Sequence, residues 1–156
     1  MPAAPNPQMC LKTIRQLAEA LCEFEAFNRT FLRSYGLTPA QFDIIATLGN
    51  TDGMNFRELG EKTLITKGTL TGVIDRLTVM KLVRRVAGQT DRRTLRVELT
   101  SKGIALFEQA HPAILSELQA MMHASGYTER DFKALSKDFV RMRDAFRHWH
   151  PPARAA

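Results

Sequence analysis

Cysteine is scarce in this sequence, and long apolar runs are absent. Its two cysteines, Cys10 and Cys22, lie twelve positions apart in what reads as one helix, where they cannot easily pair within a chain. This excludes a disulfide-stabilised secreted scaffold. No window approaches the roughly 20 apolar residues that span a bilayer, and the first eight residues carry three prolines instead of the apolar core of a signal peptide. We therefore expect a cytoplasmic protein that has no membrane partner.

Motifs of catalysis and of metal binding are also missing. The sequence has no glycine-rich phosphate loop and no nucleophile elbow. Its histidines do not occur as an i, i+4 pair beside a cluster of carboxylates, which a helical metal site would need. They are His111, His123, His148 and His150. We accordingly expect no enzymatic activity, no metal and no cofactor.

Acidic residues are outnumbered, and the excess of positive charge is local. The chain has 22 lysines and arginines against 16 acidic residues, a net charge of +6. A stretch of 16 residues has a net charge of +5, and its charged residues are Lys81, Arg84, Arg85, Asp91, Arg92, Arg93 and Arg96. A localised basic patch favours a polyanionic partner, most commonly nucleic acid. On charge alone, a merely basic soluble protein is the alternative.

Apolar residues at helical spacing predict a mainly α-helical chain. The first helix is predicted over about 9–35, and it ends at Gly36. Thr38 begins the second helix with the pattern of a capping box. A later helix is predicted from Thr100 to about residue 123, with Pro112 inside it as a kink or break. A last helix follows a cap at Thr128.

The middle of the chain predicts a helix-turn-helix followed by a β wing. Helices predicted over 55–63 and 66–81 are separated by only a few residues, as in helix-turn-helix motifs. The apolar period then changes to two, which predicts strands over 82–86 and 95–99 around the polar loop 87–94. The fold class is therefore mainly α with a small two- or three-stranded antiparallel β wing.

We predict one structural unit with two regions. Residues 37–103 form the winged helix-turn-helix, and residues 9–35 and 104–148 form a helical dimerisation region. The terminal helices carry more apolar surface than one small domain needs. In the last helix the large apolar residues are Phe132, Leu135, Phe139, Met142 and Phe146.

The exposed side of the second helix of the motif has residues that weaken helices. Glycine costs about 1 kcal/mol relative to alanine in a helix interior, so its use there needs a reason. Close approach to the major groove supplies one, because small side chains admit the helix and hydroxyls bond to bases or phosphates. An ordinary solvated face is the alternative. The predicted DNA contacts on this helix are Thr66, Lys67, Gly68, Thr69, Thr71, Gly72 and Arg76.

The loop between the strands is predicted to contact DNA as well. Arg92 and Arg93 can reach an adjacent minor groove, where arginine is favoured electrostatically. Asp91 is predicted to orient a neighbouring arginine through a bidentate pair. A solvated charged turn is the alternative for this loop.

Three segments resemble the MarR family of winged helix-turn-helix transcriptional regulators. Residues 66–77 resemble its recognition helix, residues 81–85 followed by Asp91-Arg92-Arg93 resemble its wing, and residues 97–103 resemble the end of the wing. The resemblance covers about residues 37–104. It implies a homodimer held by the terminal helices that binds pseudo-palindromic double-stranded DNA as a regulator, here expected to be a repressor. It also implies frequent release from DNA by small aromatic or phenolic ligands.

Some features leave alternatives open. Phe27, Phe31 and Phe42 are candidates for lining a pocket for a small aromatic ligand, and plain core packing is the alternative. Cys22 is expected to be a small buried apolar residue and not a redox sensor. For the chain as a whole, the alternative functions are a winged-helix module that binds another protein and a non-specific architectural DNA binder.

Overall fold

The computed structural model describes residues 6–87 and 95–149. These ranges contain six helices and three strands, which confirms the predicted mainly α-helical chain with a small antiparallel sheet. The elements are α1 (Pro7–Arg33), α2 (Pro39–Leu48), β1 (Met54–Asn55), α3 (Phe56–Lys62), α4 (Lys67–Val79), β2 (Val83–Ala87), β3 (Leu95–Leu99), α5 (Ser101–Ala124) and α6 (Glu129–His148). The chain divides into two compact units, unit 1 (Met1–Ile114) and unit 2 (Leu115–Ala156).

Capping boxes begin three of the helices. At the start of α2, the Thr38 hydroxyl accepts from the Gln41 N–H at 3.3 Å, and the Gln41 side chain accepts from the Thr38 N–H at 2.8 Å. The predicted caps at Thr38 and Thr128 are confirmed, and Asn55 begins α3 in the same way. Each box satisfies N–H groups that a helix leaves without intrahelical partners.

The core of unit 1 lies where α2, α3, α4 and the sheet meet. Helix α4 contributes a stripe at positions i, i+3, i+4 and i+7, as predicted from the sequence. The side chains of this stripe are at most 3% exposed, and they are Leu70, Val73, Ile74 and Leu77. Opposite them, α2 contributes Ile44, Ile45 and Leu48, and the sheet contributes Val83 and Val97. The stripe fixes which side of α4 faces outward.

The sheet has the order β1–β3–β2, with both pairs antiparallel. Strands β2 and β3 pair from Val83 opposite Leu99 to Ala87 opposite Leu95. The sequence did not locate β1, because its two residues are too few to show a period. The strand forms because buried Met54 lies opposite Val97 and extends the sheet on its other side.

The start of α5 packs tightly against the turn that joins α4 to β2. The Thr100 hydroxyl donates to the Lys81 carbonyl at 2.7 Å and accepts from the Gly103 N–H at 3.1 Å. A Cβ on Gly103 would lie 2.1 Å from the Leu82 carbonyl oxygen, so this position has no room for any other residue. This close approach gives a physical reason for Thr100 and Gly103 in the segment 97–103 at the end of the wing.

Two expectations about the helices are wrong, the first of them in part. Of the two effects expected of Pro112, a break is wrong, because α5 is one helix from Ser101 to Ala124; a kink stays a prediction. The helix continues because Phe107, Ala110 and Ile114 around the proline are buried in unit 1, and this packing compensates for one lost backbone hydrogen bond. Cys22 is exposed, as is Cys10. In α1 only Leu32 is buried, so most of this helix packs against nothing in unit 1.

Helix α4 ends in a left-handed residue that is not glycine. Lys81 has a φ of +61°, and the turn is closed by hydrogen bonds from the Leu82 N–H to the Leu77 carbonyl (2.9 Å) and from the Lys81 N–H to the Thr78 carbonyl (3.0 Å). This is a Schellman motif, in which glycine is usual at the left-handed position.

We therefore expect Lys81→Gly to raise the free energy of unfolding by about 1 kcal/mol, because the substitution removes the Cβ strain of the left-handed conformation. Chemical denaturation measures the change. Lys81→Ala is the matched control, since it removes the same side chain but keeps the strain. A stabilisation by alanine equal to that by glycine would contradict the strain argument.

Candidate nucleic-acid interface

The turn between α3 and α4 is anchored on both sides. The buried Thr63 hydroxyl donates to the Leu59 carbonyl at 2.7 Å, which ties the turn to α3. The Leu64 N–H donates to a carboxylate oxygen of Asp43 at 3.1 Å, which ties it to α2. Burial raises the pKa of Asp43, and the hydrogen bond from Leu64 opposes that rise. These contacts fix the point at which α4 begins.

The predicted DNA contacts of α4 share its outward side. Every one of them whose side chain the structure describes is exposed, and these residues are Thr66, Gly68, Thr69, Thr71, Gly72 and Arg76. Lys67 is the first residue of α4, but its side chain lies outside the described part of the chain. The Arg76 Nε donates to the Gly72 carbonyl at 3.1 Å, so its guanidinium group lies along the same face.

The glycines of this face are not required by the fold. A Cβ built on Gly68 would have no heavy atom within 4 Å, and one on Gly72 would meet only the Arg76 guanidinium at 4.0 Å. Neither glycine has a positive φ, unlike Gly36, Gly53 and Gly126. Alanine would fit at both positions, and it would stabilise the helix. The packing of the chain therefore gives no reason for glycine at either position.

The beginning of α4 lacks the side-chain cap found at α2, α3 and α6. Thr66 makes no capping hydrogen bond, and its hydroxyl lies 3.0 Å from the hydroxyl of Thr69. The N–H groups of the first helical turn point along the helix axis and carry the positive end of the helix dipole. An acceptor such as a phosphate oxygen fits there.

Three arginines of the basic patch have structural partners. Arg84 pairs with Glu98 at 3.1 Å, and the Arg96 guanidinium donates to the Gly53 carbonyl. Arg85 pairs with Asp75 of α4, and its guanidinium carbon lies 5.4 Å from the centre of the Phe56 ring.

These pairs change the account of the charge. Asp75 and Glu98 lie outside residues 81–96, so the net charge of that stretch does not include them. Arg84 joins β2 to β3, Arg85 joins β2 to α4 and α3, and Arg96 joins β3 to the turn before β1. Arg84 and Arg85 therefore add less unpaired positive charge to the surface than the net charge of +5 suggests, while Arg96, whose partner is a neutral carbonyl, keeps its full charge.

The predicted contacts of the wing are those of Asp91, Arg92 and Arg93, which lie outside the described residues. The paired strands that lead to them end at Ala87 and resume at Leu95. The contacts proposed for the three residues stay predictions.

The candidate ligand-pocket residues fall into two aromatic groups. Phe27 and Phe31 stack on α1 with ring centres 6.0 Å apart, and Tyr35 continues the row at 5.6 Å. Phe42 instead lies 6.5 Å from the ring of His111. That histidine also contacts Phe107, at 4.8 Å. Sequence reasoning missed the partners on α5, because no local pattern links α2 to α5.

A buried polar atom lies beside the first aromatic group. The Asn28 Oδ1 has no hydrogen-bond partner among the described residues, although it is inaccessible to solvent. The three predicted phenylalanines are all partly exposed and not core residues. Whether they bind a ligand stays a prediction.

Apolar side chains are exposed on the terminal helices, each within its own unit. On α1, Met9 is 60% exposed and Leu11 is 73% exposed. On α6 no residue is buried, and a groove of about 520 Å³ runs along it. The groove is lined by Phe132, Leu135, Ser136, Phe139, Val140 and Arg143.

Among residues 6–87 and 95–149, no helix combines the length and the hydropathy needed to cross a membrane. The same residues contain no group of three or more His, Cys, Asp or Glu side chains placed to hold a metal ion.

Residues 35–94 match the model of the MarR family. The chain is 29% identical over 112 residues to the HTH-type transcriptional regulator MhqR of Bacillus subtilis. The aligned residues cover 72% of this chain and 77% of MhqR. It is 30% identical over 89 residues to the homoprotocatechuate degradative operon repressor of Escherichia coli. Those residues cover 57% of this chain and 60% of the repressor.

Solved structures share the fold over most of the chain. BpsR of Bordetella bronchiseptica, whose DNA binding is regulated by 6-hydroxynicotinic acid, is 26% identical with a TM-score of 0.75, over 93% of this chain and 99% of BpsR. AbsC of Streptomyces coelicolor, a MarR family transcriptional regulator, is 22% identical with a TM-score of 0.79, over 96% of this chain and all of AbsC.

The open face of α4 leads to a prediction with two opposite effects. We expect Gly72→Ala to raise the free energy of unfolding by about 1 kcal/mol and to weaken specific DNA binding by about tenfold, because the added methyl group keeps the helix from the base edges. Denaturation and fluorescence anisotropy measure the two effects.

Gly60→Ala is the matched control. It lies in α3, where a Cβ would make an ordinary contact of 3.6 Å with Leu70. We expect it to leave DNA affinity unchanged. Unchanged affinity in Gly72→Ala as well would remove this face from the interface.

Proposed function

This chain belongs to the MarR family of transcriptional regulators, and from this premise we propose that it is a homodimeric repressor that binds a pseudo-palindromic operator and is released by a small aromatic ligand. The observation that carries the DNA-binding part is the outward face of α4. It combines two glycines that the fold does not require with a helix start that lacks a side-chain cap.

In this proposal, α4 enters the major groove with its first turns. The glycines at positions 68 and 72 let the helix backbone approach the bases, and the hydroxyls of Thr69 and Thr71 bond to base edges or phosphates. The N–H groups at the start of α4 hold a backbone phosphate. Such phosphate contacts fix the orientation of the protein, while base contacts supply the specificity.

The remaining predicted contacts extend the interface to both sides of the groove. Lys67 and Arg76 on α4 neutralise phosphates, and Arg92 and Arg93 of the wing enter the neighbouring minor groove. Asp91 orients one of the wing arginines. The pair between Arg85 and Asp75 supports this arrangement, because it ties the strand that leads to the wing to the helix in the major groove.

The alternatives have less support. The curated relatives are transcriptional regulators and not enzymes, which disfavours a catalytic role. A winged helix that binds only proteins has no need for exposed glycines and threonines on its recognition helix. A non-specific architectural DNA binder would lack a large ratio of specific to non-specific affinity, and this ratio separates it from a repressor.

The DNA-binding proposal is tested in two steps. The DNA that the purified chain selects from a random pool is sequenced, and the affinity of the chain for the selected DNA is then measured as a function of salt concentration. We expect a pseudo-palindrome bound at least about 10³ times more tightly than random DNA. Arg93→Ala should weaken binding and lower the salt slope by about one unit. Arg130→Ala, on α6, is the matched control and should do neither. Equal losses from both variants would refute the wing assignment.

We attribute dimerisation to residues 9–35 and 104–148. The support is the exposed apolar surface of α1 in unit 1 and of α6 in unit 2, each described separately. Contiguous apolar surface on a water-soluble chain indicates an interaction site. Two copies also match the operator, since the recognition helices of a dimer read half-sites about 34 Å apart.

We expect light scattering at micromolar concentration to give about twice the chain mass of 17.6 kDa. Phe139→Glu, in the α6 groove, should shift the mass towards the monomer, because it places a charge on a surface that is buried in the dimer. Lys137→Glu changes charge on the same helix and should leave the dimer intact. A wild-type monomer at this concentration would contradict the proposal.

The ligand is proposed to be a planar aromatic acid or phenol that binds in unit 1 near Phe27, Phe31 and Phe42. Its single ring would stack on one of the two aromatic groups, and His111, which neighbours Phe42, offers a hydrogen bond to a carboxylate. The regulation of BpsR by 6-hydroxynicotinic acid supports this ligand class. Release from DNA requires that the ligand bind the DNA-free conformation more tightly than the DNA-bound one.

We expect salicylate or 6-hydroxynicotinic acid at millimolar concentration to raise the dissociation constant for the operator. Phe31→Ala should change this sensitivity more than it changes the affinity for DNA in the absence of ligand. Tyr127→Ala, in unit 2, serves as the control and should respond as the wild type does. A panel of aromatic acids that leaves the dissociation constant untouched would exclude such ligands but not DNA binding.

A further inference from the structure

Leu64 is 99% exposed, although it lies between the buried Thr63 and the partly buried Ile65. Its backbone is held in place, since its N–H donates to Asp43 at 3.1 Å. The neighbouring Thr63 hydroxyl is fixed on the Leu59 carbonyl. The side chain of Leu64 is therefore directed into solvent by an anchored turn, and it makes no packing contribution to unit 1.

Exposure alone does not distinguish this residue, because single apolar side chains are common on protein surfaces. Its position does. Leu64 precedes the N-cap Thr66 by two residues, so it stands at the edge of the α4 face that is proposed to enter the major groove. At the start of α4 the exposed residues with described side chains are Thr66, Gly68 and Thr69, so the exposed apolar side chain beside them is that of Leu64.

The major groove offers one apolar group, the 5-methyl of thymine, and apolar side chains contact it in direct readout. We propose that Leu64 contacts a thymine methyl group at the edge of each half-site and so contributes a preference for thymine. This inference rests on the proposed function, because it requires α4 to lie in the groove. It adds a side chain that lies outside the recognition helix and does not pack in the fold.

The experiment is a double-mutant cycle between Leu64→Ala and the methyl group. Each thymine of the selected operator is replaced in turn by deoxyuridine, which lacks only the 5-methyl, and affinities are measured by anisotropy. In the wild type we expect the replacement at one position of the half-site to weaken binding about fourfold, as for the loss of one buried methyl group. In Leu64→Ala the same replacement should have no effect.

Two controls make the outcomes distinct. Leu64→Ala should unfold as the wild type does, because the side chain packs against nothing in unit 1. Val79→Ala, at the other end of α4 and 81% exposed in the wild type, should keep the full preference for thymine. Equal effects of deoxyuridine on the wild type and on Leu64→Ala would overturn this inference while leaving specific DNA binding intact. Failure of the wild type to select any DNA would overturn the proposed function as well.

Discussion

The burial of one side of α4 is the constraint on which the rest of this structure depends. Leu70, Val73, Ile74 and Leu77 are at most 3% exposed, and each such side chain contributes about 1.5–3 kcal/mol when fully buried. This gain far exceeds the cost of about 1 kcal/mol for a glycine in the helix interior. The stripe therefore sets the rotation of α4 about its axis, and the outward face is free to be selected for something other than stability.

The arginines on and near the sheet have two roles, one in connecting elements of the fold and one in the proposed contact with DNA. Arg85 joins β2 to α4 through Asp75 and lies over the ring of Phe56 on α3, so the helix-turn-helix and the strands that support the wing are connected by side chains as well as by the core. Arg84 and Arg96 stabilise the sheet in a similar way. Positive charge in the sequence thus belongs both to the surface proposed to face DNA and to the framework that positions it, and only the partners of each arginine distinguish the two.

The sequence predicted what depends on neighbouring residues. Caps such as Thr38 and Thr128, the stop at Gly36 and the buried stripe of α4 all follow from local spacing. Features that depend on distant partners could not be read in this way, including β1 opposite Val97 and Phe42 beside His111. In the candidate site, exposure of the α4 face was predictable. The partners of the arginines depend on contacts between distant residues, so the sequence did not show them. The same holds for the finding that the fold does not require glycine at positions 68 and 72.

The structure of the chain bound to its selected operator duplex tests the central claim most directly. We predict that the Cα atoms of Gly68 and Gly72 lie in van der Waals contact with base edges in the major groove, with a phosphate at the N–H groups that begin α4. A complex in which these glycines face solvent, while α3 or another element fills the groove, would contradict it.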